Sequence, residues 1–284
     1  GKFRLHGFKI TNPVAVGDYV ELERENGNGL IKQILPRKNY VVRQSPRKKH
    51  QLHLLASNID QALLIVTIIE PKLKQGFIDR FLLMTEPYDI PVIIIFNKSD
   101  LHGEEEMNIY EYLNDIYTSI GYTCVLTSAV SKEGIEKISK LLKNKVSLIA
   151  GQSGVGKSSI LNAIQPDFNL KTASLSDYSG KGQHTTTYAE MFSLKNGGFI
   201  IDTPGIKTLS FNHLEVMDVA HNFREFFELS QHCKFGDCTH RDEPSCAVKK
   251  AIENHEISEL RYWNYIQILD EIEEQNYWEL HKDY

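Results

Sequence analysis

The sequence predicts an α/β protein in which a largely parallel β-sheet is covered by helices on both faces, between a small β-rich module and a helical module. From Asp60 onward, apolar runs alternate with helical stretches, a pattern typical of parallel strands joined by helices. Before that point, short β-rich segments are separated by Gly- and Asn-rich turns, and after Thr208 no strand-like segment follows. We therefore expect three domains, at residues 1–55, 56–212 and 213–284.

Residues 1–55 have the short β-rich pattern of a small barrel. The strand-like segments are Val14–Val20, Leu30–Ile34 and Tyr40–Arg43. Only about three strands can be drawn here, whereas a closed barrel of this type needs about five. We therefore expect an N-terminal piece of the barrel to be missing, and we interpret the polar stretch Ser45–Gln51 as a linker.

The two following segments supply the sheet and the helices. The predicted strands are Ala62–Ile69, Val92–Phe96, Thr123–Thr127, Ser147–Ala150, Tyr188–Leu194 and Phe199–Ile201. The predicted helices of the sheet domain are Phe77–Thr85, Met107–Ile120, Ile135–Leu142 and Lys157–Ile164. The last segment is predicted to contain helices at Leu214–Leu229 and Glu256–Glu274. Within the second of these, helical spacing predicts a buried face made of Trp263, Ile266, Leu269 and Ile272.

A glycine-rich motif follows the apolar run Val146–Ala150 and opens a predicted helix. It fits the pattern G-x-x-x-x-G-K-[ST], whose backbone N–H groups converge on a phosphate. Lys157 would reach the β/γ oxygens as a catalytic group, and Ser158 would ligate Mg²⁺. A plain glycine-rich turn is the alternative, which the strand-to-helix setting disfavours. The predicted nucleotide contacts are Gly151, Gln152, Ser153, Gly154, Val155, Gly156, Lys157, Ser158 and Ser159.

The motif Asn97-Lys98-Ser99-Asp100 follows a predicted strand, where α/β proteins place loops that contact ligands. The Asp100 carboxylate can accept hydrogen bonds from the ring N–H and the exocyclic amine of guanine, whereas adenine would face it with an acceptor. Because each unpaired polar group costs about 1–3 kcal/mol, the motif predicts selection of guanine. Taken alone, the segment could also be a helix-capping loop. Ser128-Ala129, after the next strand, is a weaker candidate for a backbone contact with the guanine oxygen.

Asp202-Thr203-Pro204-Gly205 ends another predicted strand and fits a switch motif linked to Mg²⁺. Asp202 would hold the metal through water, and the Gly205 N–H would contact the γ-phosphate. The next residue is Ile206, at the position where Ras-type proteins use a Gln to orient the attacking water. Hydrolysis is therefore expected to be slow or to depend on another group.

The segment Gly182–Thr187, with the sequence G-Q-H-T-T-T, offers that other group. His184 can position water, although it could also be an ordinary residue of a loop. A threonine of the segment can ligate Mg²⁺ when GTP is bound, and we favour Thr186 over Thr187.

These motifs are arranged in a permuted order along the chain. In an ordinary small GTPase the phosphate loop comes first and the base-recognition loops last, whereas here both base loops precede the phosphate loop. The sequence therefore predicts a circularly permuted P-loop GTPase domain whose second switch leads directly into the C-terminal module. Nucleotide state could pull on that module mechanically.

A Cys/His cluster occupies the helical module, with the spacing C-x₄-C-x-H-x₅-C over Cys233, Cys238, His240 and Cys246. It contains three of the 4 Cys and one of the 11 His in the sequence. In a cytoplasmic chain this composition favours a metal over disulfides, and three thiolates with one imidazole suit a closed, structural Zn²⁺ site. A cluster of buried apolar cysteines is the alternative. Cys124, in a predicted strand, is interpreted as a core residue.

Composition and charge limit the remaining classes. Hydrophobic content of 41% and charged content of 24% are those of a globular protein, and no apolar run is long enough for a membrane span. No secretory leader is visible, so we expect a cytoplasmic protein. The net charge of −5 hides an asymmetry, since residues 1–55 hold 11 Lys/Arg against 4 Asp/Glu (+7), and residues 213–284 hold 7 against 16 (−9). The basic end could contact nucleic acid or could simply be a solvated face.

The motif order, the phosphate loop at Gly151–Ser159, the Gly182–Thr187 segment, the DTPG motif and the Cys/His cluster together resemble the RsgA (YjeQ) family of ribosome small subunit-dependent GTPases. The resemblance spans essentially the whole chain. It implies an OB-fold, a permuted GTPase domain and a zinc domain that act in late maturation of the bacterial 30S subunit. By the same resemblance His184 is the catalytic His, and the zinc ligands are Cys233, Cys238, His240 and Cys246. The implied partners are GTP or GDP with Mg²⁺ and the 30S subunit with its rRNA, and we expect a monomer.

Two other functions are compatible with these residues. One is a module that senses GTP but hardly hydrolyses it, as Ile206 suggests. The other is a zinc-bearing RNA-binding protein in which the phosphate loop is a vestige. Single-turnover hydrolysis with and without ribosomal subunits distinguishes a GTP sensor from an enzyme. Tight binding of guanine nucleotides would exclude an RNA-binding protein with a vestigial phosphate loop.

Overall fold

The protein is described by a computed structural model, which covers residues 9–10, 12–25, 28–45, 48–170, 189–203 and 214–280. The N-terminal module is made of short strands. Within the described ranges these are β1 Lys9–Ile10, β2 Val20–Glu25, β3 Asn28–Ile34, β4 Tyr40–Ser45 and β5 Lys48–Ser57. β5 pairs antiparallel with β4 and parallel with β1, and β2 and β3 form a separate hairpin. An isolated bridge joins Val16 to Ala56, at the end of β5.

The described part of the module therefore contains five strands, and the prediction of about three was wrong. The predicted linker Ser45–Gln51 mostly belongs to β5, because backbone pairing with β4 continues through Lys48 even though the residues there are polar. The predicted strand Val14–Val20 is mainly a turn. Asp18 holds this turn by accepting hydrogen bonds from the Ala15 N–H at 2.9 Å and from the Arg37 guanidinium at 2.6 and 2.7 Å.

The central domain is a six-stranded sheet with the order β10-β11-β9-β6-β7-β8, parallel except for β10. Its strands are β6 Gln61–Val66, β7 Val92–Asn97, β8 Thr123–Thr127, β9 Val146–Ala150, β10 Glu190–Ser193 and β11 Phe199–Asp202. Its helices are α1 Phe77–Thr85, α2 Glu104–Ser119, α3 Ile135–Leu142 and α4 Lys157–Ile164. The predicted strands and helices of this domain are thus confirmed, with small differences at their ends. For example, α2 begins at Glu104 because Glu106 accepts a hydrogen bond from the Gly103 N–H at 2.9 Å.

Helices cover both faces of this sheet. Every residue of β6 and β7 is buried, as expected for central strands of a parallel sheet. Along β6, Leu64 and Val66 belong to a core that includes residues of α1 and α2, whereas Leu63 and Ile65 belong to a core that includes residues of α3 and α4. Because β6, β7, β8, β9 and β11 run parallel, their carboxyl ends lie at one edge of the domain.

The C-terminal module is helical. Its helices in the described residues are α5 Val216–Asn222, α6 Arg224–Ser230, α7 Ala247–Glu253 and α8 Glu259–Leu280. The predicted helix Leu214–Leu229 is divided, because Phe223 has an extended backbone (φ −90°, ψ 105°) and is fully buried. α7 begins directly after the last cysteine of the Cys/His cluster and was not predicted from the sequence.

The buried face of α8 differs from the predicted one. Trp263 is 58% exposed, so its placement in the core was wrong, and Ile266 is only partly buried. Leu269 and Ile272 are buried as predicted. The other buried residues of this face, some of them polar, are Arg261, Asn264, Tyr265 and Ile268. The helix therefore buries a charged residue that hydrophobic periodicity alone would place in solvent.

Arg261 is buried because it lies between two carboxylates at the contact between α8 and the central domain. Its guanidinium donates to Glu225 of α6 at 2.7 and 3.0 Å and to Asp79 of α1. Asp79, which is fully buried, also accepts hydrogen bonds from Tyr117 of α2 and Asn264 of α8. Burial lowers the pKa of Arg261, but the Glu225 and Asp79 carboxylates outweigh it and hold the pKa well above its ordinary value. We call these five side chains the Asp79–Arg261 network.

Among the described residues, no helix combines the length and the apolar character that crossing a membrane requires.

Candidate functional site

The motifs predicted from sequence meet at the carboxyl edge of the sheet. The phosphate loop follows β9, the Asn97–Asp100 loop follows β7, and the Ser128 loop follows β8. Asp202 is the last residue of β11, which is the neighbour of β9. Because these strands are parallel, their carboxyl ends lie along one edge of the sheet although they are distant along the chain.

The phosphate loop has the compact geometry that an anion site needs. The Lys157 ammonium folds back over the loop and donates to the carbonyl oxygens of Gly151 and Gln152, both at 2.8 Å. Gly156 has φ 92° and caps α4, and a Cβ at this position would lie 2.4 Å from the Asn97 amide nitrogen. Glycine is therefore required there, because both the backbone conformation and the close approach of Asn97 exclude a side chain.

Asn97 connects the Asn97–Asp100 loop, which we call the base loop, to the phosphate loop. Its side chain, which is 2% exposed, donates to the Val155 carbonyl at 2.7 Å and accepts from the Thr127 hydroxyl at 3.1 Å. In this position Asn97 fixes the relative placement of three loops. Lys98 has a left-handed backbone (φ 69°), and its ammonium donates to the Glu70 carbonyl at 2.5 Å.

Residues of the loop after β8 hold the side chains of Ser99 and Asp100 in the Asn97–Asp100 loop. The Ser128 hydroxyl donates to the Asp100 carboxylate and accepts from the backbone N–H groups of Val130 and Ser131 at 3.1 and 3.0 Å. The Ser99 hydroxyl donates to the Glu133 carboxylate. The backbone N–H of Ser128 is already used, because it donates to the Glu133 carbonyl at 3.1 Å. A backbone contact with a base from this loop therefore falls to Ala129.

Asp202 and Ser158 form the part of the site that suits a divalent cation. Both are buried, at 7% and 6% exposure. Burial raises the pKa of Asp202 to about 6, although the nearby Lys157 charge lowers it. The buried Thr203 hydroxyl has no hydrogen-bond partner in the part of the chain that the structure describes. Carboxylate and hydroxyl oxygens are the ligands that Mg²⁺ prefers, so these residues fit the ion and its waters.

Several predicted site residues lie outside the described residues. These are the Gly182–Thr187 segment with His184, Thr186 and Thr187, and the residues Pro204, Gly205 and Ile206. Their predicted roles stay predictions.

The Cys/His cluster is assembled in the C-terminal module. The ligating atoms of Cys233, Cys238, His240 and Cys246 all lie within 4.8 Å of one another. The Nδ1 atom of His240 lies 3.8 Å from the Cys233 sulfur and 3.4 Å from the Cys246 sulfur, and the two sulfurs are 3.9 Å apart. Tetrahedral coordination with bonds of about 2.3 Å would separate its ligands by about 3.7 Å. The four atoms can therefore hold one metal ion with no open coordination position.

Neighbouring groups support these ligands. The backbone N–H groups of Ala247 and Lys249 point at the sulfurs of Cys233 and Cys246, at 3.4 and 3.5 Å, as they do around thiolates. Burial raises the pKa of the Cys238 thiol to about 12, so a cation is needed to keep that sulfur ionised. The Tyr262 hydroxyl donates to the His240 carbonyl at 2.9 Å and fastens the cluster to α8.

The sheet, the phosphate loop and the order of the loops define a P-loop GTPase of the circularly permuted class. The sequence profile of the family described as RsgA GTPase matches residues 34–212. The chain belongs to the RsgA GTPase family.

Proteins similar to this chain carry the same family name. The small ribosomal subunit biogenesis GTPase RsgA of Phocaeicola vulgatus is 49% identical to this chain and aligns with 98% of it and 90% of its own length. The corresponding protein of Flavobacterium psychrophilum is 45% identical over 95% of this chain and 84% of its own length.

Solved structures agree with the fold. YjeQ from Thermotoga maritima has a TM-score of 0.75 and 39% sequence identity, and the alignment covers 96% of this chain and 87% of that one. YloQ, whose structure is described as that of a circularly permuted GTPase, has a TM-score of 0.72 and 33% identity, over 93% and 83% of the two chains. The α/β fold with a permuted GTPase domain, predicted from sequence, is thus confirmed.

Some residues of the site were not found by sequence reasoning. Glu133 lies five positions after Ser128 in a polar loop and supports the base loop through Ser99. Glu70 contributes only its carbonyl oxygen, and backbone contacts leave no signal in residue type. Thr67 and Pro71, which shape the same loop, follow β6 in a segment that we predicted partly as strand.

Proposed function

We propose that this protein binds GTP with Mg²⁺ and hydrolyses it to GDP and phosphate during late maturation of the small ribosomal subunit, which stimulates its turnover. The observation that carries the proposal is the convergence of the phosphate loop, the Asn97–Asp100 loop and Asp202 at one edge of the sheet. Membership of the RsgA GTPase family supports hydrolysis, and the similarity to small ribosomal subunit biogenesis GTPases supports the ribosomal role.

The placement of the described loops supports the proposed roles of their residues. The phosphates would lie on the backbone of the phosphate loop and α4, where N–H groups and the helix dipole favour negative charge. Lys157 would turn its ammonium from Gly151 and Gln152 to the β/γ oxygens. Ser158 and Asp202 would hold Mg²⁺, Asp202 through water, with Thr186 as a third ligand from the segment outside the described residues. Mg²⁺ when bound neutralises charge on the phosphates.

Asp100 should decide base selectivity. We expect Asp100→Asn to weaken GTP binding roughly tenfold to a hundredfold, because an acceptor that pairs with guanine becomes partly a donor. Xanthosine triphosphate, which carries a carbonyl in place of the exocyclic amine, should instead bind the variant better than it binds the wild type. Isothermal titration with both nucleotides measures this exchange. Asp115→Asn, the same change on the exposed side of α2, is the matched control, and unchanged GTP affinity in Asp100→Asn would exclude the assigned role.

His184 is proposed to position the attacking water, because Ile206 cannot do so. We expect His184→Ala to leave nucleotide affinity unchanged and to lower kcat of the stimulated reaction by roughly 10²- to 10⁴-fold, the usual range for such a group. Single-turnover hydrolysis on 30S subunits measures kcat. His255→Ala removes an exposed imidazole elsewhere and should have no effect. Equal kcat in His184→Ala and wild type would refute the role.

We also propose that the Cys/His cluster holds one structural Zn²⁺. The donor set of three sulfurs and one imidazole nitrogen, whose atoms all lie within 4.8 Å of one another, supports zinc over harder cations, which prefer oxygen ligands. With four protein ligands and no open position, the ion would stabilise the module and take no part in hydrolysis.

The 30S subunit and its rRNA are the proposed partners of a monomeric, cytoplasmic protein. Residues 1–55 carry 11 Lys/Arg against 4 Asp/Glu, so this end can release counterions from RNA on binding. Binding should therefore weaken as the salt concentration rises. It should also be stronger with a non-hydrolysable GTP analogue than with GDP, if the γ-phosphate orders the Gly182–Thr187 segment.

Hydrolysis measured with purified 30S, 50S and 70S particles tests the proposed function. We expect 30S particles to stimulate turnover by well over tenfold, and Lys157→Ala to abolish most of that activity by removing charge from the phosphates, an effect on the order of 10²- to 10³-fold. If 30S particles at low salt neither bind nor stimulate the protein, the ribosomal role is wrong, and a module that only senses GTP becomes the better account.

Charge reversal locates the docking face. Changing Arg47, Lys48 and Lys49 to Glu should weaken 30S binding without altering GTP affinity. The matched control changes Lys137, Lys140 and Lys143 to Glu, which alters the net charge equally in the exposed region of α3. Equal loss of binding in both variants would mean that only overall charge matters.

A further inference from the structure

The loop between β6 and α1, residues 67–76, contacts two separate parts of the nucleotide site. We call it the β6–α1 loop. Its Glu70 carbonyl accepts a hydrogen bond from the Lys98 ammonium at 2.5 Å, so it touches the base loop. Its Pro71 ring lies against the phosphate loop, since a Cβ at Gly154 would be 3.6 Å from Pro71 Cδ. The β6–α1 loop therefore connects the base loop and the phosphate loop at the protein surface.

A second connection between the same two loops lies in the interior. The buried Asn97 side chain donates to the Val155 carbonyl at 2.7 Å and so connects them below the surface. The connection through Glu70 and Pro71 is exposed or partly exposed. A nucleotide with its base at Asp100 and its phosphates on the phosphate loop has its ribose between these two anchors. The β6–α1 loop spans that interval on its outer side.

The conformation of the loop is held by Thr67. Its side chain is 1% exposed, and its hydroxyl donates to the Pro71 carbonyl at 2.7 Å. Glu70, between the two, has a left-handed backbone (φ 55°), which a non-glycine residue adopts at some cost. The Thr67 hydrogen bond closes the turn that contains this residue and directs the Glu70 carbonyl to Lys98.

We propose that the β6–α1 loop forms a wall beside the ribose and slows release of the guanine nucleotide, with Thr67 as the positioning residue that sets this wall. The inference rests on the proposed nucleotide site and adds an element to it. Thr67 acts through Pro71 and Glu70 and touches neither the phosphates nor the base loop directly. Its contribution should therefore appear in the rate of nucleotide dissociation and in KM.

The test replaces Thr67 by Val, which keeps the shape of the side chain and removes the hydroxyl. We expect Thr67→Val to accelerate dissociation of GDP and of a non-hydrolysable GTP analogue by roughly three- to tenfold, the value of one hydrogen bond. Thr67→Ser keeps the hydroxyl and should restore the wild-type rate. Dissociation is followed with tritiated nucleotide and an unlabelled chase, because a fluorophore attached to the ribose would itself meet the loop.

Thr85→Val is the matched control. Thr85 is equally buried, and its hydroxyl donates to the Leu82 carbonyl at 2.9 Å, so the control loses a comparable hydrogen bond at the far end of α1. Faster release in Thr67→Val with a melting temperature no lower than that of Thr85→Val supports the wall. Release rates within twofold of wild type, or an equal acceleration in both variants, overturn it. Failure of the wild-type protein to bind guanine nucleotides would instead refute the proposed function.

Discussion

Removal of the proposed Zn²⁺ from the cluster of Cys233, Cys238, His240 and Cys246 is expected to unfold the C-terminal module while the central sheet keeps its structure. The cluster ties three segments of this module together, and without a cation its ligands would lose their common centre. Structural zinc contributes an apparent free energy of about 10–16 kcal/mol in small domains, more than such a module gains from its core. Hydrogen exchange before and after chelation measures which helices lose protection.

The same experiment has a genetic form with a matched control. Cys246→Ser removes a ligand, whereas Cys124→Ser alters the buried cysteine of β8, which lies in the core of the sheet domain. About one equivalent of zinc per chain is expected in the wild type and in Cys124→Ser, and much less in Cys246→Ser. Metal analysis that finds no zinc in wild-type protein purified without chelator would contradict the site.

Arg261→Ala is expected to destabilise the protein by about 3–5 kcal/mol, because it leaves the fully buried Asp79 and the nearly buried Glu225 without their cation. Denaturant unfolding measures this loss. Asp79→Ala should destabilise the protein by a similar amount. The double variant should lose less stability than the sum of the two single variants, because each single variant leaves one member of the Asp79–Arg261 pair buried without the other.

The control for this prediction lies on the same pair of helices. Arg80 of α1 pairs with Glu271 of α8 at 2.5 Å, but both side chains are partly exposed, at 23% and 34%. Arg80→Ala should therefore cost only about 0–1 kcal/mol, as partly solvated pairs usually do. If Arg80→Ala and Arg261→Ala destabilise the protein equally, burial does not explain the contribution of the Asp79–Arg261 network to stability.

The parallel sheet was predictable because its central strands are buried on both faces and therefore form continuous apolar runs. Val92–Phe96 is such a run, and its boundaries agree with β7 to within one residue. The phosphate loop was predictable for a different reason: it needs glycine where the backbone turns sharply and where Asn97 approaches Gly156. These constraints act on residue type and are visible in one sequence.

What escaped prediction depends on partners that are distant along the chain. Arg261 was left out of the buried face of α8 because its burial depends on Asp79 and Glu225, which no local pattern connects to it. Trp263 was placed in the core on hydrophobic periodicity, yet the helix turns it to solvent. Strand β5 was missed for a related reason, since its first residues are polar and are fixed by backbone pairing with β4.

The Asp79–Arg261 network also bears on the order in which the chain can fold as it is made. Asp79 and Arg261 are separated by 182 positions, so the carboxylate of α1 is synthesised long before its cation. At the usual rates of translation the delay is on the order of ten to forty seconds. An ionised Asp79 cannot be buried alone without a cost of several kcal/mol, so α1 is expected to remain incompletely docked during this interval. The final packing of α1 against the central sheet thus waits for the synthesis of α8.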